Sequence, residues 1–155
     1  MDYILLDTCI VVHILRNNDY SKKCREGLKN FSETPHIILS VVSKAELESL
    51  SKQQNWGEPR KKALALIFNE ATFIDIENAD ENLINAYSII DAYSKRKGND
   101  KFGNILNDSS KTMHKNDLWI AATAFTLNIP LLTTDCDFDH LNGTMINVMK
   151  VICTY

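Results

Sequence analysis

Four carboxylates that lie far apart along the chain stand where chemistry is possible: Asp7, Glu46, Asp117 and Asp135. Asp7 closes the apolar run Tyr-Ile-Leu-Leu, and Asp135 follows a second such run, Pro-Leu-Leu-Thr-Thr. Glu46 and Asp117 each sit near the start of a helical pattern. Carboxylates gathered at low dielectric repel one another unless a cation compensates them. Hard oxygen donors of this kind suit Mg²⁺ or Mn²⁺. Such a site can lower the pKa of a water and stabilise both oxygens of an in-line displacement at a phosphodiester. That chemistry needs no nucleophilic side chain, and none stands out.

Each acid also has a purely local explanation. Asp7, ahead of Thr8, could cap the next helix. Ser43-Lys44-Ala45-Glu46 fits a capping box, with Glu46 reaching back to Ser43. Asp117, after Asn116, suits the positive end of a helix dipole. Asp135, Asp137 and Asp139 could simply form a turn. Taken singly, Glu46 and Asp117 read as structural. Asp7, ending an otherwise apolar strand, reads as functional. The functional reading rests on the combination.

The elements that would position these acids follow from apolar spacing. Short apolar runs predict strands at 3–7, 35–40 and 72–76, then 130–133 and a β-rich segment at 145–152. Helical spacing marks 8–16, 20–31, 42–53, 58–69, 79–95 and 117–127. Pro59 suits a first helical turn. The polar stretch 98–115, with two glycines, reads as the longest loop. Strands alternating with helices imply a parallel sheet covered on both faces. In such sheets ligands bind beyond the carboxyl ends of the strands, at the switch point of strand order. Asp7 and Asp135 both fall at that edge.

The 155 residues suit one domain spanning 1–155, with 98–115 as a loop insertion. The chain is 45% apolar and 24% charged, as in ordinary globular proteins. No apolar run is long enough to span a bilayer. The start of the chain lacks a basic segment and a small-residue cleavage site, so it reads as a strand and the expected location is the cytoplasm. Cys9, Cys24, Cys136 and Cys153 are scattered, which argues against a zinc site or a disulfide framework. Cys9 and Cys153 read as small core residues. A net charge of −3 counts weakly against a nucleic-acid partner, although Lys and Arg cluster near 22–25, 60–62, 95–97 and 111–115. Any one cluster reads first as a solvated helix face.

Four blocks of sequence resemble the PIN domains, and in particular the VapC-type toxins of bacterial toxin–antitoxin modules. Tyr-Ile-Leu-Leu-Asp-Thr-Cys-Ile-Val-Val (3–12) resembles the opening strand of that family. Ser-Val-Val-Ser-Lys-Ala-Glu-Leu (40–47) resembles the segment of the second acid. Asn-Asp-Leu-Trp-Ile-Ala-Ala-Thr-Ala (116–124) resembles the helix of the third acid and is the most specific match. Pro-Leu-Leu-Thr-Thr-Asp-Cys-Asp-Phe (130–138) resembles the closing motif. The resemblance implies a three-layer α/β/α fold with a parallel sheet of about five strands. It implies a Mg²⁺- or Mn²⁺-dependent endoribonuclease, with Asp7, Glu46, Asp117 and Asp135 as the four acids and Asp137 as a further metal ligand or water-orienting group. Thr8 and Thr133 would support the acids by hydrogen bonds. Asn116 stands with them as a supporting residue, and reads as a helix cap before a metal contact; Thr133 reads equally well as a plain strand-end residue. The products would carry a 5′ phosphate and a 3′ hydroxyl. An antitoxin protein and a homodimer are common in the family. The chain is longer than is usual there, with the excess in 98–115. That loop could reach an RNA substrate through Lys101, Lys111 or Lys115, but its composition reads first as inert.

Three rivals share part of this pattern. A flap-type nuclease acting on DNA would want extra helices to thread a strand. A non-catalytic relative would want acids missing. A phosphoaspartate receiver would want paired acids at its first strand and a Lys after a late one.

Overall fold

Strand β1 (Tyr3–Leu6) lies in the middle of the sheet, and its apolar run explains why. Ile4 and Leu6 face one side and Leu5 the other, and all three are buried. The computed structural model describes residues 2–153, so Met1, Thr154 and Tyr155 of the expected 1–155 span lie outside the described residues. After β1 come α1 (Thr8–Arg16), α2 (Asp19–Phe31), β2 (His36–Ser40), α3 (Val41–Gln53), α4 (Glu58–Glu70) and β3 (Thr72–Ile74). Then follow α5 (Glu81–Ser94), α6 (Lys115–Leu127), β4 (Leu131–Thr133), a 3₁₀ turn (Cys136–Leu141) and β5 (Val148–Lys150).

The five strands pair in parallel throughout, in the order β3-β2-β1-β4-β5. On one face Leu5, Ile38 and Leu131 pack against Leu83, Ile90, Leu118 and Ile120 of α5 and α6. On the other, Ile4, Leu6, Leu39 and Leu132 pack against Ile10, Val11, Cys24, Leu47 and Leu64 from α1 to α4. Burying a side chain of this size contributes about 1.5–3 kcal/mol. The result is the three-layer α/β/α arrangement expected from the alternating pattern. Chain order runs outward from β1 to β3, then resumes on the other side of β1 with β4. The switch point therefore lies between the carboxyl ends of β1 and β4. Among the described residues no helix is long and apolar enough to cross a membrane.

Several boundaries differ from the sequence reading, each for a local reason. Asp80 accepts a hydrogen bond from Leu83 N, so α5 starts at Glu81 and not at 79. Strand β3 ends at Ile74 and β5 covers Val148–Lys150, the residues in register with β2 and β4, and backbone bonds from Leu131 N to Asn147 O and from Val151 N to Thr133 O flank the β5 ladder. Helix α6 begins at Lys115, two residues before Asp117.

The segment 95–114 has neither helix nor strand ladder, but it is pinned. Asp100 accepts from Phe102 N and Asn104 N, and Gly103 turns the chain at φ 87°, where a side chain would be strained. Leu106 and Met113 are buried in the core beneath it. Lys111 N donates to Ser94 O at 2.7 Å.

Candidate metal centre at the switch point

Strands β1 and β4 deliver Asp7 and Thr133 side by side. Thr133 is fully buried, and its hydroxyl donates to Asp7 Oδ2 at 2.6 Å while accepting from Asp135 N at 2.9 Å. One hydroxyl thus ties together the two strand ends that carry acids. Of the two readings left open for Thr133, its contacts are those of an orienting residue. Asp7 is 5% exposed, and its Oδ2 takes a second hydrogen bond from Cys9 Sγ at 2.9 Å. Burial pushes the Asp7 carboxyl above its ordinary range, against the hydrogen bonds from Cys9 and Thr133, and the charge of Asp135 adds to the rise.

Local capping explains less than the sequence suggested. Asp7 occupies the backbone cap position of α1, yet its side chain caps nothing. Helix α3 is capped by Ser40, not Ser43, so the capping box at Ser43–Glu46 does not form. Glu46 turns instead toward the switch point. Its Oε2 accepts from Thr8 Oγ1 at 2.5 Å and its Oε1 from Asn116 Nδ2 at 2.7 Å. Asn116 is therefore not the cap of α6; that backbone position belongs to His114. It braces Glu46 across the site. Asp135 does act in a turn, accepting from Asp137 N at 2.9 Å.

Asp117, Asp135 and Asp137 each offer a carboxylate oxygen within 4.8 Å of the others. Asp7 and Glu46 stand outside this set but within its electrostatic reach. Asp117 is pushed up to about 7, first by burial and then by the charges of Asp7, Asp135 and Glu46. Among the described residues no ion pair to Lys or Arg relieves any of the five acids. Clustered hard oxygens with no Lys or Arg paired to them are the donor set a small divalent ion fits.

A cleft of about 510 Å³ opens beside the acids, reaching from Asp7, Glu46 and Asp117 to His13, Arg16 and Gln53. Two of its features escaped the sequence reading. Cys9 was expected in the core; Cys24 is the fully buried cysteine, whereas Cys9 is half-buried and bonded to Asp7. Burial and the neighbouring Asp7 charge push the Cys9 thiol up to about 12, so it stays protonated and donates. His13 and Arg16 were not singled out either. A signal existed: 9, 13 and 16 share one helical face beginning beside Asp7.

The PIN-domain family model matches residues 4–143. Comparison with the curated proteins returns no match. Among solved structures, the chain is similar to VapBC2 from Rickettsia felis bound to a promoter DNA fragment, at 18% identity and TM-score 0.70, over 94% of this chain and 98% of that one. It is similar to FitAcB from Neisseria gonorrhoeae at 22% identity and TM-score 0.63, over 95% and 96%. A toxin–antitoxin complex from Klebsiella pneumoniae aligns at 14% identity and TM-score 0.66, over 96% and 98%. At these identities the likeness is one of fold. The family match covers nearly all of the chain and includes every acid described above, and the chain belongs to the PIN-domain family.

Proposed function

We propose that this protein is a divalent-metal-dependent endoribonuclease, the toxin of a toxin–antitoxin pair, working in the cytoplasm. One observation carries the reading: three carboxylate oxygens within 4.8 Å of one another at the switch point of a PIN fold, with no Lys or Arg ion pair on them among the described residues.

Asp117, Asp135 and Asp137 would hold Mg²⁺ or Mn²⁺, with Asp7 and Glu46 alongside. The ion, when bound, supplies Lewis-acid polarisation of a phosphate and a water of lowered pKa. The chain's own residues do the rest. Thr133 and Cys9 fix Asp7 Oδ2. Thr8 and Asn116 fix Glu46 from both sides. Arg16, at the far end of the cleft, is placed to meet a backbone phosphate. In the reaction, water oxygen bonds to phosphorus as the bond to the 3′ oxygen breaks. The departing oxygen takes up a proton, leaving a 5′ phosphate and a 3′ hydroxyl. Phosphate contacts make the activity steeply salt-dependent. The similar structures include VapBC and FitAB complexes, which supports an antitoxin protein as partner here. A homodimer, common in the family, is part of the same proposal.

The test uses purified protein free of any partner. Wild type and Asp7→Asn are incubated in parallel with RNA and with DNA, in Mg²⁺ or in EDTA. Cleavage of RNA by wild type in Mg²⁺ alone is expected. Cleavage that survives EDTA or the substitution sinks the metal reading, and preference for DNA sinks the substrate.

A further inference from the structure

The acid cluster opens on two sides. One is the cleft along α1 and α3. The other, of about 750 Å³, lies between segment 95–114 and the 3₁₀ turn, with Asp137 on its edge. Asp137 thus belongs both to the acid cluster and to the second cleft. A strand whose scissile phosphate rests on the acids must leave in two directions, and the second cleft lies along one of them.

Its construction suits a nucleotide. The floor is apolar, from Leu106 and Met113. The rim carries Asn107 and Thr112, both exposed, and Lys111. Acids in its walls, Asp137 aside, are neutralised: Asp108 by Lys111 at 2.9 Å and Asp139 by Lys150 at 2.7 Å. Buried Ser94 joins the two walls. Its Oγ bonds His140 Nε2 at 2.8 Å on one side, and its carbonyl accepts from Lys111 N at 2.7 Å on the other. The cleft is therefore preformed. An apolar floor with a few hydrogen-bonding groups at the rim is what small ligands occupy. Single-stranded RNA is recognised through unstacked bases placed in such pockets.

We propose that this cleft binds the nucleotide next to the scissile phosphate of a single-stranded RNA, and so sets where the RNA is cut. Asn107 and Thr112 meet the edge of the base, and Lys111, released from its exposed and weak ion pair with Asp108, steadies the adjoining phosphate. This rests on the nuclease reading of the acid cluster. It also gives 95–114 a task that its polar composition alone does not suggest.

The experiment uses the full chain and an RNA with a randomised single-stranded segment. Asn107→Trp fills the cleft from an exposed position; Thr112→Trp fills it from another and guards against misfolding of the first. Lys111→Gln removes the charge, and Lys61→Gln on α4 is the control. Cut sites are read by sequencing the products. Affinity is read by fluorescence anisotropy with a labelled RNA of the same kind, each change placed in an Asp117→Asn background. The Trp variants are expected to change the preferred base beside the cut and to weaken binding about tenfold. Lys111→Gln is expected to weaken binding about fivefold and to lower the salt slope by about 0.7. Lys61→Gln should match the parent. An unchanged cut-site profile in both Trp variants overturns the cleft assignment while the nuclease reading stands. A parent that neither binds nor cuts RNA overturns both.

Discussion

Asp7 and Asp117 line the same cleft, and burial holds both above the usual carboxylate range, yet the chain treats them differently. Asp7, at the joined ends of β1 and β4, receives two hydrogen bonds on one oxygen. Among the described residues no donor is fixed on the carboxylate of Asp117, which is pressed by three other acids. The strand-end region is held by the protein's own donors, and the first turn of α6 is left for something else to neutralise. Metal sites are commonly built this way, with supporting hydrogen bonds fixing the ligands and one side open to the ion.

The comparison breaks most plainly at Asp117. Asp117→Asn is expected to remove RNA cleavage on the order of a thousandfold, as loss of several kcal/mol of charge stabilisation requires. The same change should raise the melting temperature of the protein in EDTA, because it deletes a repelled charge. A normal cleavage rate would place the chemistry elsewhere.

The pH dependence of stability follows from the same group. The Asp117 carboxyl titrates at 3.8 in the free chain and at about 7 in the folded one, so the folded state binds the proton more tightly. Its stabilising contribution is full below 3.8 and is lost as pH rises through about 7. The upward shift of Asp7 has the same sign. Thermal melts in EDTA should therefore show a midpoint falling across that window, and Mn²⁺ should reverse the fall. A shallower fall in Asp117→Asn than in wild type, with the remainder left by Asp7, would tie most of the effect to this residue.

Effects on the held side should be smaller and opposite in their consequence for stability. Thr133→Val keeps the shape but removes its hydroxyl contacts to Asp7, Asp135 N and Cys9, and about ten- to a hundredfold in metal affinity or activity should go with them. Unlike Asp117→Asn, it should lower the melting temperature, since a buried carboxylate loses a donor. Cys9→Ala leaves the Thr133–Asp7 contact in place, and a thiol is a weak donor and acceptor, so a loss of only a few-fold is expected. If Cys9→Ala costs more than Thr133→Val, the ranking of the two donors is wrong.

Much of the fold was legible because its signals are local. The continuous apolar runs at β1 and β4, alternating with helical patterns, imply buried parallel strands, and the strand-end rule then places Asp7 and Asp135 without reference to any relative. Glu46 shows where local reading fails. Ser43 and Glu46 satisfy the spacing of a capping box, but the cap is Ser40, and only the packing of α3 against α1 and α6 brings Glu46 to Thr8 and Asn116. Asn116 was misread for the same reason: a capping residue type two places into its helix is free to bond across the site. Cys9 packs against the core, but an apolar neighbourhood in sequence says nothing of which face a helix turns to a strand end, so its bond to Asp7 was not legible. The 3₁₀ turn at Cys136–Leu141 carries no periodic signal at all, and its acids are aligned by Thr133 and Asp135.

The central claim is that Asp117, with Asp135 and Asp137, holds a divalent ion that balances carboxylate charge left without a Lys or Arg partner among the described residues. Calorimetric titration of Mn²⁺ into the partner-free protein tests it most directly, comparing wild type with Asp117→Asn. Saturable binding to wild type, weakened about tenfold or more by the substitution, is the expected result. Equal affinity in the two proteins, or no binding to wild type, would contradict it.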